Sequence, residues 1–168
     1  MVLLAGWATM CGCTPYRFGS QVLFPPEIRT IHVPIARDET FRHDLGLRLT
    51  EALVREIELR TPYKVTGDPT ADSVLLCEFV DETKRVLTES DADFPSALDA
   101  AVEVRASWTD RSGRLLFRNQ VVPTDDLGIL FSQDERFVPQ GGQSVDTAMQ
   151  QAIEDLASRI VTQMEARW

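Results

Sequence analysis

The fold is decided by residues 97–109, which read ALDAAVEVRASWT and alternate in character from one position to the next. The apolar set is Leu98, Ala100, Val102, Val104, Ala106 and Trp108, and the polar set between them is Asp99, Glu103, Arg105, Ser107 and Thr109. Successive side chains of a β-strand point to opposite faces of its sheet. The stretch therefore predicts a strand with one face on a core and the other in a polar setting.

A second strand is expected directly after this one. The segment Asp110-Arg-Ser-Gly113 predicts a hairpin turn, because Asp and Gly are the residues that tight turns favour. It leads into Arg114–Val122, where Leu115, Phe117 and Val121 supply an apolar side. The next twenty or so residues, 124–143, show no clear periodicity and predict a long loop.

Three strands are expected upstream. Residues 28–35 are β-branched and alternating, with Pro34 favouring the end of a strand or an edge position. A short strand at 63–66 and a long one at 73–87 flank the turn-forming Gly67-Asp68-Pro69.

Two amphipathic helices complete the pattern. Residues 40–60 carry one apolar stripe, with Thr40 or Asp38 as the N-terminal cap and Thr61-Pro62 as the end. Ser144 caps a second helix that continues to the C-terminus. The economical packing is α+β: a two-layer sandwich with a mostly antiparallel sheet of four to five strands and both helices on one face.

Composition limits the functional classes. The chain has 168 residues, 17 basic and 26 acidic, with a net charge of −9. Since a protein that binds the phosphate backbone needs positive charge, we predict that the chain is not a nucleic-acid-binding module. Its length fits one domain. With only two histidines and three cysteines, it cannot build a multi-histidine metal centre or a disulfide framework.

The N-terminus indicates the compartment. Residues 2–10 are uncharged and mostly apolar, too short to span a bilayer but of the length of a signal-peptide core. We interpret 1–12 as a signal peptide, truncated at its start since no basic residue precedes Arg17, and Cys13 as the lipid anchor of a single domain, 13–168. A buried N-terminal strand, or a Cys-x-Cys redox or metal pair, is the alternative.

No catalytic constellation is recognisable. The sequence has no Gly-rich phosphate loop, Gly-x-Ser-x-Gly or His-Glu-x-x-His motif, so we predict a protein that is not an enzyme and binds no cofactor or metal. The acidic run 89–93 lacks the Gly and terminal Glu of a calcium loop and reads as a solvated loop.

Basic residues near the strand ends are the first candidate contact site. Five of them could meet an anionic head group: Lys84, Arg85, Arg111, Arg114 and Arg118. The alternative is that they protect sheet edges from aggregation. Phe131 and Phe137 in the apolar loop are candidates for contact with a partner, unless the loop folds back over the domain's own sheet.

Three stretches resemble the LptE family. They are the Cys13 region Gly12-Cys-Thr-Pro-Tyr-Arg-Phe-Gly19, the strand 28–35 running into Thr40-Phe41-Arg42, and the Gly142-Gln143-Ser144 entry to the last helix. The resemblance extends over almost the whole mature chain. It implies a non-catalytic lipoprotein, palmitoylated at Cys13, on the periplasmic side of the outer membrane.

The family also implies partners. An LptE-type protein sits as a plug in the outer-membrane β-barrel LptD, helps it fold and contacts lipopolysaccharide during assembly at the outer membrane. Two other functions stay open from the residues alone. One is an auxiliary lipoprotein of another envelope lipid-transport complex, and the other is a soluble periplasmic enzyme.

Overall fold

Three antiparallel strands form the larger part of the sheet. The computed structural model describes residues 23–38, 44–89, 95–117 and 128–165. Within them, β4 (Ser73–Glu89) pairs with β5 (Pro95–Asp110), and β5 pairs with β6 (Ile129–Phe137). The alternating stretch 97–109 is therefore the middle strand of the three, as expected for the segment with the cleanest two-residue period.

Three short strands extend the sheet on the other side of β4. They are β1 (Thr30–His32), β2 (Arg37–Asp38) and β3 (Lys64–Thr66). The sheet order is β3-β1-β4-β5-β6, and β2 also lies beside β4. All three short strands pair in parallel, so the sheet is mixed, with the long pairings antiparallel and the parallel ones two or three residues long.

Two helices, α1 (Leu45–Arg60) and α2 (Val145–Gln163), cover one face of the sheet. The Ser144 hydroxyl accepts the Thr147 N–H at 3.1 Å, so the cap predicted for α2 is present. The predicted α+β class with two amphipathic helices is confirmed. The described part of α1 starts at Leu45 rather than Thr40, and residues 39–43 lie outside the described ranges.

Arginines of α1 hold the two helices together. Arg48 donates to the Gln150 side chain at 2.8 Å, near the start of both helices. Arg60 donates to the Ser158 carbonyl at 3.0 Å and the Glu165 carboxylate at 2.9 Å, near the end of both. Since start meets start and end meets end, α1 and α2 run parallel.

The core lies between the helices and the sheet. Every apolar member of the β5 alternation is buried there, beside Leu75 and Phe79 of β4. A row of five aromatic rings crosses this layer, with neighbouring centroids 5.6 to 6.3 Å apart, a spacing typical of favourable ring contacts. Its members are Phe24, Tyr63, Trp108, Phe117 and Phe131.

β4 has two unlike halves. In the proximal half (73–79), Ser73, Leu75 and Phe79 are fully buried, and Cys77 is nearly so. The register against β5 then shifts by one residue between Phe79 and Asp81. In the distal half (80–89), positions 80–88 are exposed apart from the partly buried Glu82, because no described helix covers them.

The structure differs from the sequence predictions at three segments, one predicted loop and two predicted strands. Residues 129–137 form β6, although a loop was predicted over 124–143. The sequence did not indicate a strand because the polar Gln133 and Glu135 lie on the inward face and interrupt its apolar periodicity. The strand 114–122 is reduced, in the described residues, to one bridge between Leu115 and Thr109. The strand expected over 28–35 is only Thr30–His32, and residues 118–127 are outside the described ranges.

Candidate functional site

The side of the sheet that faces away from the helices is the candidate functional surface, called here the open face. Its distal half is polar and rich in carboxylates, with Asp81 and Glu103 paired in register and Asp99 and Asp134 close by. Its proximal half carries three exposed aliphatic side chains, Ile35, Leu76 and Leu130. The open face therefore changes chemical character along the strands.

The basic residues predicted to contact lipopolysaccharide lie at opposite ends of the sheet. Arg85 pairs in register with Asp99, whereas Asp110, which begins the turn carrying Arg111 and Arg114, pairs with Ser73. The twelve strand positions between Ser73 and Arg85 correspond to about 40 Å at roughly 3.3 Å per residue. One small head group cannot contact both ends.

Lys84 and Arg85 are adjacent in the chain but face opposite sides of the sheet. Lys84 is paired with the buried Ala100 and so lies on the helix side, beyond the helices. Arg85 is paired with Asp99 and lines the polar groove of the open face. Both side chains are exposed, but they belong to different surfaces.

Arg111 and Arg114 already have partners within the domain. Arg111 Nε donates to the Ala71 carbonyl at 3.0 Å, and its terminal nitrogen lies 3.2 Å from Asp72. Arg114 Nε donates to Asp110 Oδ2 at 3.0 Å. The two arginines thus stabilise the loop and turn at the proximal end. Arg118 lies outside the described residues.

The carboxylates at this end are held in their ionised form. Hydrogen bonds from the Ser112 hydroxyl and from backbone and side-chain groups of Ser112 and Arg114 lower the pKa of Asp110 to about 2. The pKa of Asp72 is also lowered, chiefly because its carboxylate accepts the backbone N–H groups of Arg29 and Thr30. Asp72 thereby ties the loop before β4 to the start of β1.

Phe131 and Phe137 are buried in the core, at 6% and 3% exposure. Phe131 lies 6.3 Å from Phe117, centroid to centroid. The segment is part of the sheet as β6, and these two rings lie on its helix side opposite the buried Val104 and Leu98. Contact between a partner and this segment stays a prediction, and the exposed aliphatic side chains next to these rings are Leu130 and Val138.

A groove of about 270 Å³ lies in the proximal half of the open face and is called here the open-face groove. Sequence reasoning missed it. Its walls come from the connection between β1 and β2, from β2, from neighbouring positions of β4 and β5, and from the residue before β6: Pro34, Ile35, Arg37, Leu76, Cys77, Glu78, Arg105, Ser107 and Gly128. One clue was available, because the consecutive Leu75 and Leu76 of a strand must point to opposite faces.

The described residues offer no recognisable metal or nucleophile site. No group of three or more His, Cys, Asp and Glu side chains within them could hold a metal ion. Burial raises the pKa of the Cys77 thiol to about 12, which disfavours the reactive thiolate. Within the described ranges, no helix has the length and apolar character needed to cross a membrane. Cys13, the predicted lipid anchor, lies outside them.

Several solved structures share the fold. An uncharacterized lipoprotein B from Nitrosomonas europaea has 14% identity and a TM-score of 0.55, covering 89% of each chain. The rare lipoprotein B from Shewanella oneidensis has 10% identity and a TM-score of 0.51, over 81% of this chain and 93% of that one. The PelC dodecamer from Paraburkholderia phytofirmans has 13% identity and a TM-score of 0.53, over 88% and 93%.

The sequence comparisons are more specific about family. No curated protein sequence matches the chain significantly. The family profile described as "LptE: Lipopolysaccharide-assembly" matches residues 28–167, which include every helix and strand described above. The resemblance inferred from the sequence is confirmed, and the chain belongs to the LptE family of lipopolysaccharide-assembly lipoproteins.

Proposed function

We propose that this chain is a lipid-anchored, non-catalytic subunit that binds an LptD-type β-barrel and lipopolysaccharide on the periplasmic side of the outer membrane. The observation that carries the proposal is the family match over residues 28–167. Residues 1–12 act as the signal peptide in this proposal, and the lipid is attached to Cys13. Several acyl chains hold a protein on a membrane more firmly than one, since each buried methylene contributes about 0.8 kcal/mol.

The polar distal half of the open face suits the proposed barrel partner. The interior of an outer-membrane barrel is polar, so a plug must present polar side chains to it. Asp81, Asp99, Glu103 and Asp134 provide such a surface, and the cations Arg85 and Arg136 lie beside Asp99 in register. This surface could form hydrogen bonds with a barrel wall without burying an apolar patch.

Co-purification tests the barrel partner. The tagged chain is extracted from cells in mild detergent, and the proteins that accompany it are identified by mass spectrometry. We expect a large outer-membrane β-barrel protein. Photo-crosslinking amino acids at Leu130 and Val138, the exposed neighbours of the buried rings, report whether the β6 segment touches it. Recovery of an inner-membrane transporter subunit instead would assign the chain to another envelope lipid-transport complex.

Labelling with a palmitate analogue tests the anchor. The label should enter the wild-type chain and the Cys11→Ala variant, and it should be lost from Cys13→Ala, which is the matched substitution two residues away. Loss of label from Cys11→Ala alone would place the anchor at the other cysteine.

Charge removal tests the lipopolysaccharide contact. Lys84→Gln with Arg85→Gln removes two cations whose side chains make no hydrogen bond or ion pair to described residues, and it adds no carboxylate opposite Asp99, so the fold should be unaffected. We expect weaker lipopolysaccharide binding, with the difference shrinking at high salt because exposed charges are screened beyond about 8 Å at physiological ionic strength. Arg111→Gln with Arg114→Gln tests the proximal group, with unfolding measured in parallel because both arginines hold the turn. Unchanged binding by both pairs would remove these residues from the contact.

A further inference from the structure

The open-face groove exposes two aliphatic side chains to solvent. Ile35 is 69% exposed and Leu76 is 51% exposed, and both line the groove. Leu130 lies on the same face, since its in-register partner Arg105 also lines the groove. Apolar side chains that share a concave surface favour contact with an apolar ligand more than the same side chains scattered singly.

The backbone beneath Ile35 is fixed by α1. Ala36 is buried, and its N–H donates to Thr50 Oγ1 at 2.9 Å, while the Thr50 hydroxyl donates to the Gly46 carbonyl at 2.7 Å. A Cβ atom on Gly46 would stand 2.4 Å from the Ala36 carbonyl oxygen, so only glycine allows this approach. With Ala36 held inward, Ile35 points outward. The groove is therefore built into the fold.

The groove also carries the positive charge of Arg37. Arg37 pairs in register with Glu78, but Glu78 forms its ion pair with Arg105 on the other side, at 3.3 Å. The Arg37 side chain makes no hydrogen bond or ion pair with any residue in the described ranges, although it lines the groove. In the described part of the chain, the Arg37 guanidinium thus has no carboxylate partner, and its positive charge stands beside the aliphatic surface.

We propose that the open-face groove binds one acyl chain of an anionic lipid, with the chain along Ile35 and Leu76 and the anionic head group on Arg37. This inference rests on the proposed function, since it gives that function a lipid-contacting site away from the five basic residues predicted from sequence. The volume of about 270 Å³ lies just below the roughly 300–1,000 Å³ of ordinary ligand pockets. It suits a single chain rather than a whole multi-chain lipid.

The apolar half of the proposal is tested with dansyl-undecanoic acid, whose fluorescence rises in an apolar environment. We expect saturable binding to the wild-type protein and a loss of about tenfold or more in affinity for Leu76→Gln. Leu47→Gln is the matched control, because Leu47 is also 51% exposed but lies on α1. Ile35→Ser provides a second groove variant, and circular dichroism confirms that each variant is folded.

The charged half is tested with the uncharged amide of the same probe. Arg37→Gln should weaken binding of the acid and leave binding of the amide unchanged, since only the acid carries a charge for the guanidinium. Lys64→Gln, a substitution at an exposed lysine of β3, should alter neither. Dansyl-glycine, which has the carboxylate but no chain, should bind far more weakly than the long acid.

Three results would overturn the inference: no saturable binding to the wild type, equal losses for Leu76→Gln and Leu47→Gln, or binding that Arg37→Gln weakens equally for acid and amide. Crosslinking of a polypeptide, rather than a lipid, at Leu76 in cells would also overturn it. These results are separable from the proposed function. Co-purification with a barrel protein can succeed while the groove variants bind the probe normally, and the reverse is equally measurable.

Discussion

The proximal and distal halves of β4 share one partner strand and differ in almost everything else. Both pair with β5, yet the proximal half buries every second side chain and the distal half leaves nearly all of them exposed. The difference comes from the neighbouring layers, since β1 and β2 flank only the proximal half and the helices cover it. Strand pairing alone does not make a core. The proximal half is a structural element, and the distal half is a surface that the structure leaves available for contacts.

The largest expected difference between the halves is in stability. Phe79→Ala in the proximal half should lower the free energy of unfolding by about 3–5 kcal/mol, because a fully buried ring is replaced by a cavity. Val86→Ala in the distal half, at 45% exposure, should change it by no more than about 0.5 kcal/mol. Urea unfolding of both variants measures this. Similar losses for the two would mean that the distal half is covered in solution.

Amide hydrogen exchange should show the same division within one strand. Amides of the proximal half lie under the helices and should exchange only by global or near-global unfolding, whereas those of the distal half should exchange through local opening. Exchange followed residue by residue by NMR gives both rates on the same sample. Uniform protection along the whole of β4 would contradict the division.

Replacing an arginine at the proximal end should lower the free energy of unfolding slightly more than replacing one at the distal end. Arg111→Ala removes a hydrogen bond to the Ala71 carbonyl and an ion pair to Asp72, and since the side chain is 65% exposed the loss should be at most about 1 kcal/mol. Arg85→Ala in the distal half removes no described hydrogen bond or ion pair and should leave the unfolding free energy unchanged. Thermal unfolding of the two variants measures the difference. A larger loss of stability for Arg85→Ala than for Arg111→Ala would contradict the prediction.

The smallest expected effect is a loss of folding stability at acid pH through Asp110. The pKa of Asp110 is about 2 in the folded protein, against about 3.9 for an ordinary aspartate, so folding favours the ionised form. Its stabilisation should be complete above the ordinary pKa and lost as the pH falls toward 2. Comparing wild type with Asp110→Asn from pH 6 to pH 2 should show a stability difference that shrinks with acid. Asp99→Asn at the distal end is the control, and a difference that does not vary with pH would contradict the assignment.

Local patterns in the sequence were enough to find the main elements. The two-residue period of 97–109 identified β5, and the Ser144 cap with its apolar stripe identified α2. Elements that depend on contacts distant in sequence were missed. β2 has two residues and forms only because β4 lies beside it, and β6 carries too many inward polar residues to read as a strand.

The site was less predictable than the fold for the same reason. Side-chain alternation already placed Lys84 and Arg85 on opposite faces, but the distance from Arg85 to Arg111 depends on the register between β4 and β5. The partners of Arg111 come from a loop forty residues earlier in the chain. Ile35 and Leu76 lie together in the open-face groove because β2 pairs in parallel with β4. Parallel strands are not connected by a short turn, so no local turn sequence predicts their pairing.

The parallel helices impose an order on synthesis. Arg60 at the end of α1 is made 98 residues before Ser158 and 105 before Glu165, the groups that receive its hydrogen bonds. The helix layer therefore closes only when α2 is almost complete, and the contacts between α1 and α2 cannot form before then. Long sequence separations of this kind slow folding, because a large loop must be closed before the contacts that reward it can form. A chain released from the ribosome before α2 is made would carry α1 with its partner missing, as a substrate for chaperones and proteases.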